Sequence, residues 1–250
     1  MGHWFEPVAD HLGSAYLRYS FTKGTDAEVA FLVDELGIGA GSRVLDVGCG
    51  PGRHALALAA MGVTVVGVDV STTFVDLARA QADARGLADR ASFVRADARS
   101  LGYEAEFDAA FSLCQGAFGL LGGPASDGGE PDDLSVLAGM ARALRQGGRL
   151  AVSAFSAYFM VRHLTDGGDG PGHGFDAATG TNHEVTEVRD PSGRSVEVDL
   201  WTTCFTPREL RLLASAAGLG GVEVYSVTPG RYDRSPPNVT DEELLLVATR

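Results

Sequence analysis

The sequence predicts an α/β fold, in which a mostly parallel sheet carries helices on both faces. Two observations lead to it. Apolar runs of strand length alternate along the chain with segments that begin or end on helix-capping residues. The first of these runs, 44–47, passes directly into a glycine-rich turn, which is how α/β sheets bring a nucleotide-like ligand to the carboxyl ends of their strands. A chain of 250 residues with this pattern can form one domain, 1–250.

Strands and helices alternate in order through most of the chain. The predicted strands are 44–47, 63–68, 91–96, 107–113, 150–155, 222–227 and 244–249. The predicted helices between them are 25–36, 72–85, 132–145 and 207–217. Capping signals define several helix ends: Thr25 and Glu28 have the spacing of a capping box, Ser71 is placed as an N-cap, and Gly37 and Gly86 are placed to end helices. Thr206 and Glu209 form a second predicted capping box.

Two segments interrupt the alternation. Residues 1–24 precede the first helix. Residues 156–205 contain a short helix and then two β-rich runs, 184–189 and 195–205, separated by an Asp-Pro-Ser-Gly turn. The second half of this insertion predicts an antiparallel hairpin. Glycine-rich loops are predicted at 122–130 and 167–174.

Composition limits the classes of partner. Lys and Arg total 20 against 33 Asp and Glu, a net charge of −13, and Lys23 is the single lysine. A nucleic-acid surface needs a cluster of positive charge, so a small-molecule substrate is expected and a nucleic-acid partner is not.

The apolar runs are too short to span a membrane, and the first residues lack a signal-peptide pattern. Three scattered cysteines predict reduced thiols in the cytoplasm and no metal site. The chain is expected to be a monomer or a homodimer.

The glycine turn has a distinctive spacing. It reads D-x-G-C-G-x-G from Asp46 through Gly48, Cys49 and Gly50. A dinucleotide fingerprint would place its third glycine at the position of Arg53 and would not need the aspartate. The pattern resembles motif I of the class I S-adenosylmethionine-dependent methyltransferases. The acidic ends of the second and third strands and the Gly-Gly turn before the fifth strand are also similar to that family.

The resemblance implies a Rossmann-like, seven-stranded mixed sheet whose last strand is antiparallel, and S-adenosylmethionine as the cofactor. It also implies roles for individual residues. Asp69 would bind the ribose hydroxyls, with Val70 beside it, and Asp97 and Ala98 would bind the adenine, while Asp46, Gly48 and Gly50 belong to the turn motif itself. The expected cofactor-binding residues are therefore Tyr16, Lys23, Asp46, Gly48, Gly50, Asp69, Val70, Asp97, Ala98 and Cys114. The resemblance further implies that residues 1–24 form a lid over cofactor and substrate and that the insertion 156–205 forms a cap over the substrate site.

The segment before the first helix is similar to that of small-molecule N-methyltransferases of the glycine and sarcosine type. In those enzymes a basic residue there binds the cofactor carboxylate, a position that Lys23 matches, and Tyr16 or Tyr19 could supply the aromatic side chain. The loop from Cys114 to Phe118 is weakly similar to the loop beside their methyl donor. Expected substrate-binding residues are Tyr19, Gln115, Phe118, Tyr158 and Arg162.

The acceptor suggested by this resemblance is an amine nitrogen on a small metabolite. An amine with a free lone pair needs no strong base, whereas a hydroxyl usually needs one. His183 is the candidate base, with His163 and His173 as further candidates, and His54 is expected on a helix surface near the cofactor. The alternatives are an O- or C-methyltransferase of a small metabolite, an RNA or protein methyltransferase, and a non-catalytic nucleoside-binding protein or dehydrogenase.

Overall fold

The computed structural model describes residues 3–120, 123, 133–163 and 174–250. The strands of this part of the chain are β1 (Arg43–Val47), β2 (Thr64–Asp69), β3 (Ala91–Arg95), β4 (Phe107–Ser112), β5 (Leu144–Ser156), β6 (Gly174–Asp176), β7 (Thr181–Arg189), β8 (Ser195–Phe205), β9 (Gly220–Val227) and β10 (Glu243–Thr249). The helices are α1 (Phe5–Leu12), α2 (Thr25–Leu36), α3 (Arg53–Ala60), α4 (Thr72–Ala84), α5 (Asp133–Ala143), α6 (Ala157–His163) and α7 (Pro207–Ala216). Two short 3₁₀ segments, Gly13–Arg18 and Ser20–Gly24, join α1 to α2. The predicted glycine-rich loops lie mostly outside the described residues.

The main sheet has the expected architecture. Strands β3, β2, β1, β4 and β5 pair in that order and are parallel. β10 inserts antiparallel between β5 and β9, so seven strands form a mixed sheet in which the last strand of the chain runs against its neighbours. The prediction of a seven-stranded sheet with an antiparallel last strand is confirmed.

The insertion forms a small antiparallel sheet at one end of β5. β7 pairs with β8 over its full length, and the short β6 adds a third strand that the sequence did not predict. This sheet joins the main one where Phe155 and Ser156 of β5 pair with Cys204 and Phe205 of β8. The hairpin begins three residues earlier than predicted, at Thr181, so that Asn182 and His183 belong to β7.

The core lies on both faces of the parallel strands. Val44 of β1 packs among residues of α2 and α3 such as Leu32 and Leu56, whereas the next residue, Leu45, packs on the other face with Leu137 of α5. Successive strand residues point to opposite faces, so a continuous apolar run is what a sheet covered by helices on both sides requires. None of the described helices is long and apolar enough to cross a membrane.

Of the three predicted N-terminal helix caps, two are present. The Ser71 hydroxyl accepts a hydrogen bond from Phe74 N at 3.2 Å, and Thr206 with Glu209 makes the reciprocal capping box of α7. The capping box predicted at Thr25 is not formed. Glu28 turns inward instead, because its fully buried carboxylate forms ion pairs with Arg53 and His54.

Candidate active site

The glycine turn after β1 is held against the loop that follows β4. Gly48 has φ +73°, and a Cβ at this position would lie 2.0 Å from the carbonyl carbon of Gly116. A Cβ at Gly116 would in turn lie 2.2 Å from Gly48 O. Only glycine allows this backbone-to-backbone contact with a left-handed conformation at Gly48. The contact brings the ends of β1 and β4 together at one edge of the sheet.

Asp69, at the end of β2, is fixed beside the turn. Its Oδ2 accepts a hydrogen bond from Gly50 N and its Oδ1 accepts one from Ser71 N, both at 2.8 Å. Burial raises the pKa of Asp69 to about 6 despite these backbone bonds. Each oxygen keeps a lone pair, so the carboxylate can accept two hydroxyl hydrogen bonds, as binding of a ribose requires.

A narrow cleft of about 30 Å³ runs from Asp69 across the ends of β2 and β3. Its walls include Val70, Asp97 and Ala98, the residues expected to contact ribose and adenine. Asp97 also binds Arg99, whose Nη2 donates to Oδ2 at 2.6 Å, and this contact holds the pKa of Asp97 below its usual value. His3 and Phe5, at the start of α1, cover the cleft.

A cavity of about 360 Å³ adjoins the cleft and shares Gly48, Asp69 and Gly116 with it. Most of its wall is apolar and aromatic: Trp4, Phe5, Tyr16, Phe21, Phe74, Leu120, Phe155, Phe159, Met160 and Leu200. Its polar side chains are Cys114, Gln115, Asn182, Glu184 and Thr202. Such a cavity, open to a polar cleft on one side, suits an apolar molecule held next to a nucleoside.

Asp46 lies behind the glycine turn. It is 2% exposed, and its Oδ2 has no hydrogen-bond partner among the described residues. Burial raises the pKa of Asp46 to about 8. An orphaned carboxylate oxygen close to the turn fits a ligand that carries positive charge, as the sulfonium and ammonium groups of the expected cofactor do. Together with Asp69, this feature makes the site chemically suited to S-adenosylmethionine.

A buried ionic cluster supports the turn from behind. Arg53, the first residue of α3, donates from Nη1 to Glu28 Oε2 at 2.5 Å and from Nη2 to Cys114 Sγ at 2.8 Å. His54 Nε2 lies 2.7 Å from the same Glu28 oxygen. Burial opposes ionisation of Glu28, but hydrogen bonds from His54 and Arg53 hold its pKa below the usual value. The cluster ties α2, α3 and the loop after β4 together, and His54 is buried rather than on the helix surface.

The sequence motif marks Arg53 only as a departure from the dinucleotide fingerprint. An arginine directly after a glycine turn was the available signal for this cluster. Its buried partner, Glu28, belongs to a helix 25 residues earlier, so the pairing depends on tertiary structure. Within the described residues, no group of three His, Cys, Asp or Glu side chains is placed to hold a metal ion.

Of the nine other predicted site residues, the structure brings three into the cavity. Tyr16, Cys114 and Gln115 line the cavity. Lys23 is exposed and lines neither space, because the 3₁₀ turn that carries it packs Thr22 inward instead. Tyr19 lines a separate open groove, where its hydroxyl accepts a hydrogen bond from Arg189 N at 3.4 Å.

Like Tyr19, the three remaining predicted substrate residues lie outside the cavity and the cleft. Phe118 is fully buried in the core and stacks on Phe205, with ring centroids 4.9 Å apart. Tyr158 and Arg162 are exposed, since α6 presents Phe159 and Met160 to the cavity. The next residue along a helix is rotated by about 100°, so a one-residue difference exchanges a cavity position for a solvent position.

His183 lies on the face of β7 opposite the cavity. Its neighbours Asn182 and Glu184 line the cavity, and strand alternation turns His183 away from it. Its ring stacks on Trp201 at 3.7 Å between centroids, and its Nε2 lies 2.7 Å from Asp199 Oδ1. His183 is therefore not placed to act as a base on a molecule in the cavity.

The other candidate bases are no better placed. His163 is exposed at the end of α6, where its Nδ1 lies 2.9 Å from Phe159 O. His173 lies outside the described residues. No histidine lines the described wall of the 360 Å³ cavity.

Known proteins share both the sequence pattern and the fold. A family model described as a methyltransferase domain matches residues 44–148. The chain is 40% identical over 124 residues to methyltransferase GfsG of Streptomyces halstedii, an alignment that covers 49% of this chain and 41% of GfsG. It is 30% identical over 176 residues to O-methyltransferase rstn1 of Aspergillus nomiae, covering 62% of this chain and 71% of that protein.

The solved structure of the CcbJ methyltransferase from Streptomyces caelestis has the same fold. It superposes with a TM-score of 0.71 at 21% identity, over 91% of this chain and 94% of CcbJ. The chain thus spans less than half of GfsG but nearly the whole of the CcbJ fold. The glycine turn, the carboxylates Asp46 and Asp69 in the last residues of β1 and β2, the mixed sheet and these relatives agree, and we conclude that the chain belongs to the S-adenosylmethionine-dependent methyltransferase family.

Proposed function

We propose that this protein transfers a methyl group from S-adenosylmethionine to a hydroxyl oxygen of a small, largely apolar molecule. The observation that carries the proposal is the aromatic cavity that opens directly onto the cofactor cleft at Gly48, Asp69 and Gly116. Its volume of about 360 Å³ is within the range of small-molecule sites. The net charge of −13 further supports a small molecule over a nucleic acid.

In this proposal the residues of the cleft hold the cofactor and exclude water from it. Asp69 accepts the ribose hydroxyls, Asp97 and Ala98 border the adenine, and Asp46 balances the positive charge. When bound, the cofactor supplies an activated methyl group. The segment 1–24 acts as a lid, since Phe5 and Tyr16 line the cavity, and the cap at 156–205 contributes the wall that faces the acceptor.

The oxygen acceptor is supported by the named activity of rstn1, an O-methyltransferase. In such a transfer the acceptor oxygen forms a bond to the methyl carbon, the electron pair of the broken carbon–sulfur bond stays on sulfur, and the hydroxyl proton leaves. Among the described residues of the cap, Glu184 is the carboxylate that lines the cavity, and its exposure to solvent lets it pass a proton to water. We assign it the role of proton acceptor.

An amine nitrogen is the second candidate acceptor. It is favoured by the absence of histidine from the described cavity wall, because a neutral amine needs no base during attack. Glu184 would then attract the ammonium form of the substrate instead of taking its proton. Oxygen transfer and nitrogen transfer therefore predict different kinetic effects when the Glu184 carboxylate is removed.

The proposal is tested with methyl-labelled S-adenosylmethionine and pairs of aromatic acceptors that share a skeleton and differ in a hydroxyl or an amino group. We expect label in the hydroxyl compounds, with a methoxy signal in the carbon spectrum of the product. In the Glu184→Gln variant, kcat should fall by about tenfold or more while the affinity for S-adenosylhomocysteine stays unchanged. Label on nitrogen, together with a rise in KM and an unchanged kcat in that variant, would establish the amine instead.

A further inference from the structure

On the inner face of the cap, both side chains of one rung are polar, and on the next rung of that face Glu184 lies opposite Leu200. Asn182 of β7 and Thr202 of β8 are directly opposite each other in the antiparallel register, and both line the cavity. Phe155 and Phe159 line the same cavity, and Leu200 lies two residues before Thr202 on the same face. A molecule in the cavity therefore meets hydrogen-bonding groups of the cap at a defined place.

Asn182 has no protein partner for its side chain. The residue is 4% exposed, it lines the cavity, and its carboxamide atoms, which make no hydrogen bond to the described residues, are open to the cavity rather than enclosed by protein. Buried amides in native proteins are almost always hydrogen-bonded, because leaving one unpaired is unfavourable. An unpartnered amide nine-tenths buried and facing a cavity indicates a polar group on the occupant of that cavity.

The chemistry of the rung defines that polar group. A carboxamide can accept one hydrogen bond through its oxygen and donate two through its nitrogen, and the Thr202 hydroxyl can do both. A hydroxyl group, which also donates and accepts, can satisfy the rung in either orientation of the amide. The aromatic side chains around the rung favour a flat ring as the body that carries this hydroxyl.

We propose that Asn182, with Thr202 beside it, is the specificity-determining residue that selects and orients an acceptor whose apolar ring carries a hydroxyl group. The proposal builds on the proposed function, since it concerns the same cavity, but it is a statement about binding and is measured without turnover. His183, the next residue on β7, faces the other way and provides a matched control.

The experiment compares 2-naphthol with naphthalene, two probes that differ only in the hydroxyl group. Binding of each to the full chain saturated with S-adenosylhomocysteine is measured by calorimetry. The wild-type protein should bind 2-naphthol about tenfold more tightly, the factor that one hydrogen bond of ordinary strength supplies. Asn182→Leu should reduce this preference to within about twofold, Thr202→Val should reduce it in part, and His183→Leu should leave it unchanged.

Two outcomes would overturn the proposal: equal affinity of the wild-type protein for the two probes, and retention of the full preference in Asn182→Leu. Affinity for S-adenosylhomocysteine reports whether each variant is folded, and Asn182→Ala replaces the leucine variant if that affinity is lost. A failure of the proposed methyl transfer gives a result different from a failure of this binding proposal. It would appear as binding of 2-naphthol with the predicted pattern but no methylation of any hydroxyl compound.

Discussion

Asp46 is buried with one unpartnered oxygen and lines neither the cleft nor the cavity, so we expect a cation bound on the other side of the glycine turn to change its ionisation. Its pKa of about 8 in the free protein lies well above the usual value for aspartate, and at pH 7 most molecules hold it protonated. A cationic cofactor favours the ionised form. Binding of S-adenosylmethionine at pH 7 should therefore release about one proton, and affinity should rise as the pH increases from 6 to 8.

Calorimetry in buffers of different ionisation enthalpy measures this release. Asp69 contributes little at pH 7, because its pKa of about 6 leaves it largely ionised. In Asp46→Asn the release should disappear. If the variant releases as many protons as the wild-type protein, the group that titrates is another one.

Asp69 is expected to hold the ribose. Replacing Asp69 by Ala should weaken cofactor binding by about 1–3 kcal/mol, since two ribose hydroxyls would lose their partner in a buried site. Asp97→Ala should cost less, because the Asp97 side chain is 41% exposed and already paired with Arg99. Titration of S-adenosylhomocysteine into both variants makes the comparison, and an unchanged affinity in Asp69→Ala would refute the assignment.

Arg53 neutralises the fully buried Glu28. Arg53→Met should lower the free energy of unfolding by about 3 kcal/mol, the lower end of the cost of breaking a buried ion pair, because His54 still contacts the carboxylate. Lys23→Ala is the control: Lys23 is exposed, and its loss should change stability by less than about 0.5 kcal/mol. Urea denaturation of both variants tests this, and similar midpoints would show that Arg53 does not stabilise Glu28.

At the scale of elements, α6 presents one of two adjacent aromatic side chains to the cavity and the other to solvent. Phe159 lines the cavity, whereas Tyr158 is 46% exposed. Phe159→Ala should lower kcat/KM for the acceptor by about tenfold or more through lost apolar contact, and Tyr158→Ala should change it by less than about twofold. Affinity for S-adenosylhomocysteine should stay the same in both. An equal loss in the two variants would mean that α6 affects the site through its fold rather than through Phe159.

The β7–β8 hairpin likewise presents one face to the cavity, and its other face lies away from it. Asn182 and Thr202 point to the cavity, while His183 and Trp201 stack on the outer side. The composition of the hairpin predicted strands correctly, because β-branched residues flank a turn of Asp, Pro, Ser and Gly. Its start was predicted three residues too late, at Glu184, so the predicted strand left out Asn182. Which face of the strand meets the cavity depends on its pairing and packing.

At the scale of the whole molecule, the sheet order places the site. The chain builds β1, β2 and β3 outward in one direction and then returns to place β4 on the other side of β1. This reversal opens a crevice at the carboxyl ends of β1 and β4, the place where open α/β sheets bind their ligands. Gly48 and Gly116 meet there, and side chains from the described parts of 1–24 and 156–205 line the adjoining cavity.

The sequence by itself determined the parallel sheet, its antiparallel last strand, the glycine turn and the carboxylates Asp69 and Asp97. These are local features: each carboxylate follows its strand directly, so its place at the sheet edge follows from the strand alone. Tertiary structure decided the rest. Glu28 meets Arg53, and β8 meets the end of β5, across long stretches of chain. Asn182 and Phe159 face the acceptor because packing sets the register of the hairpin and the rotation of α6, and no local pattern encodes either.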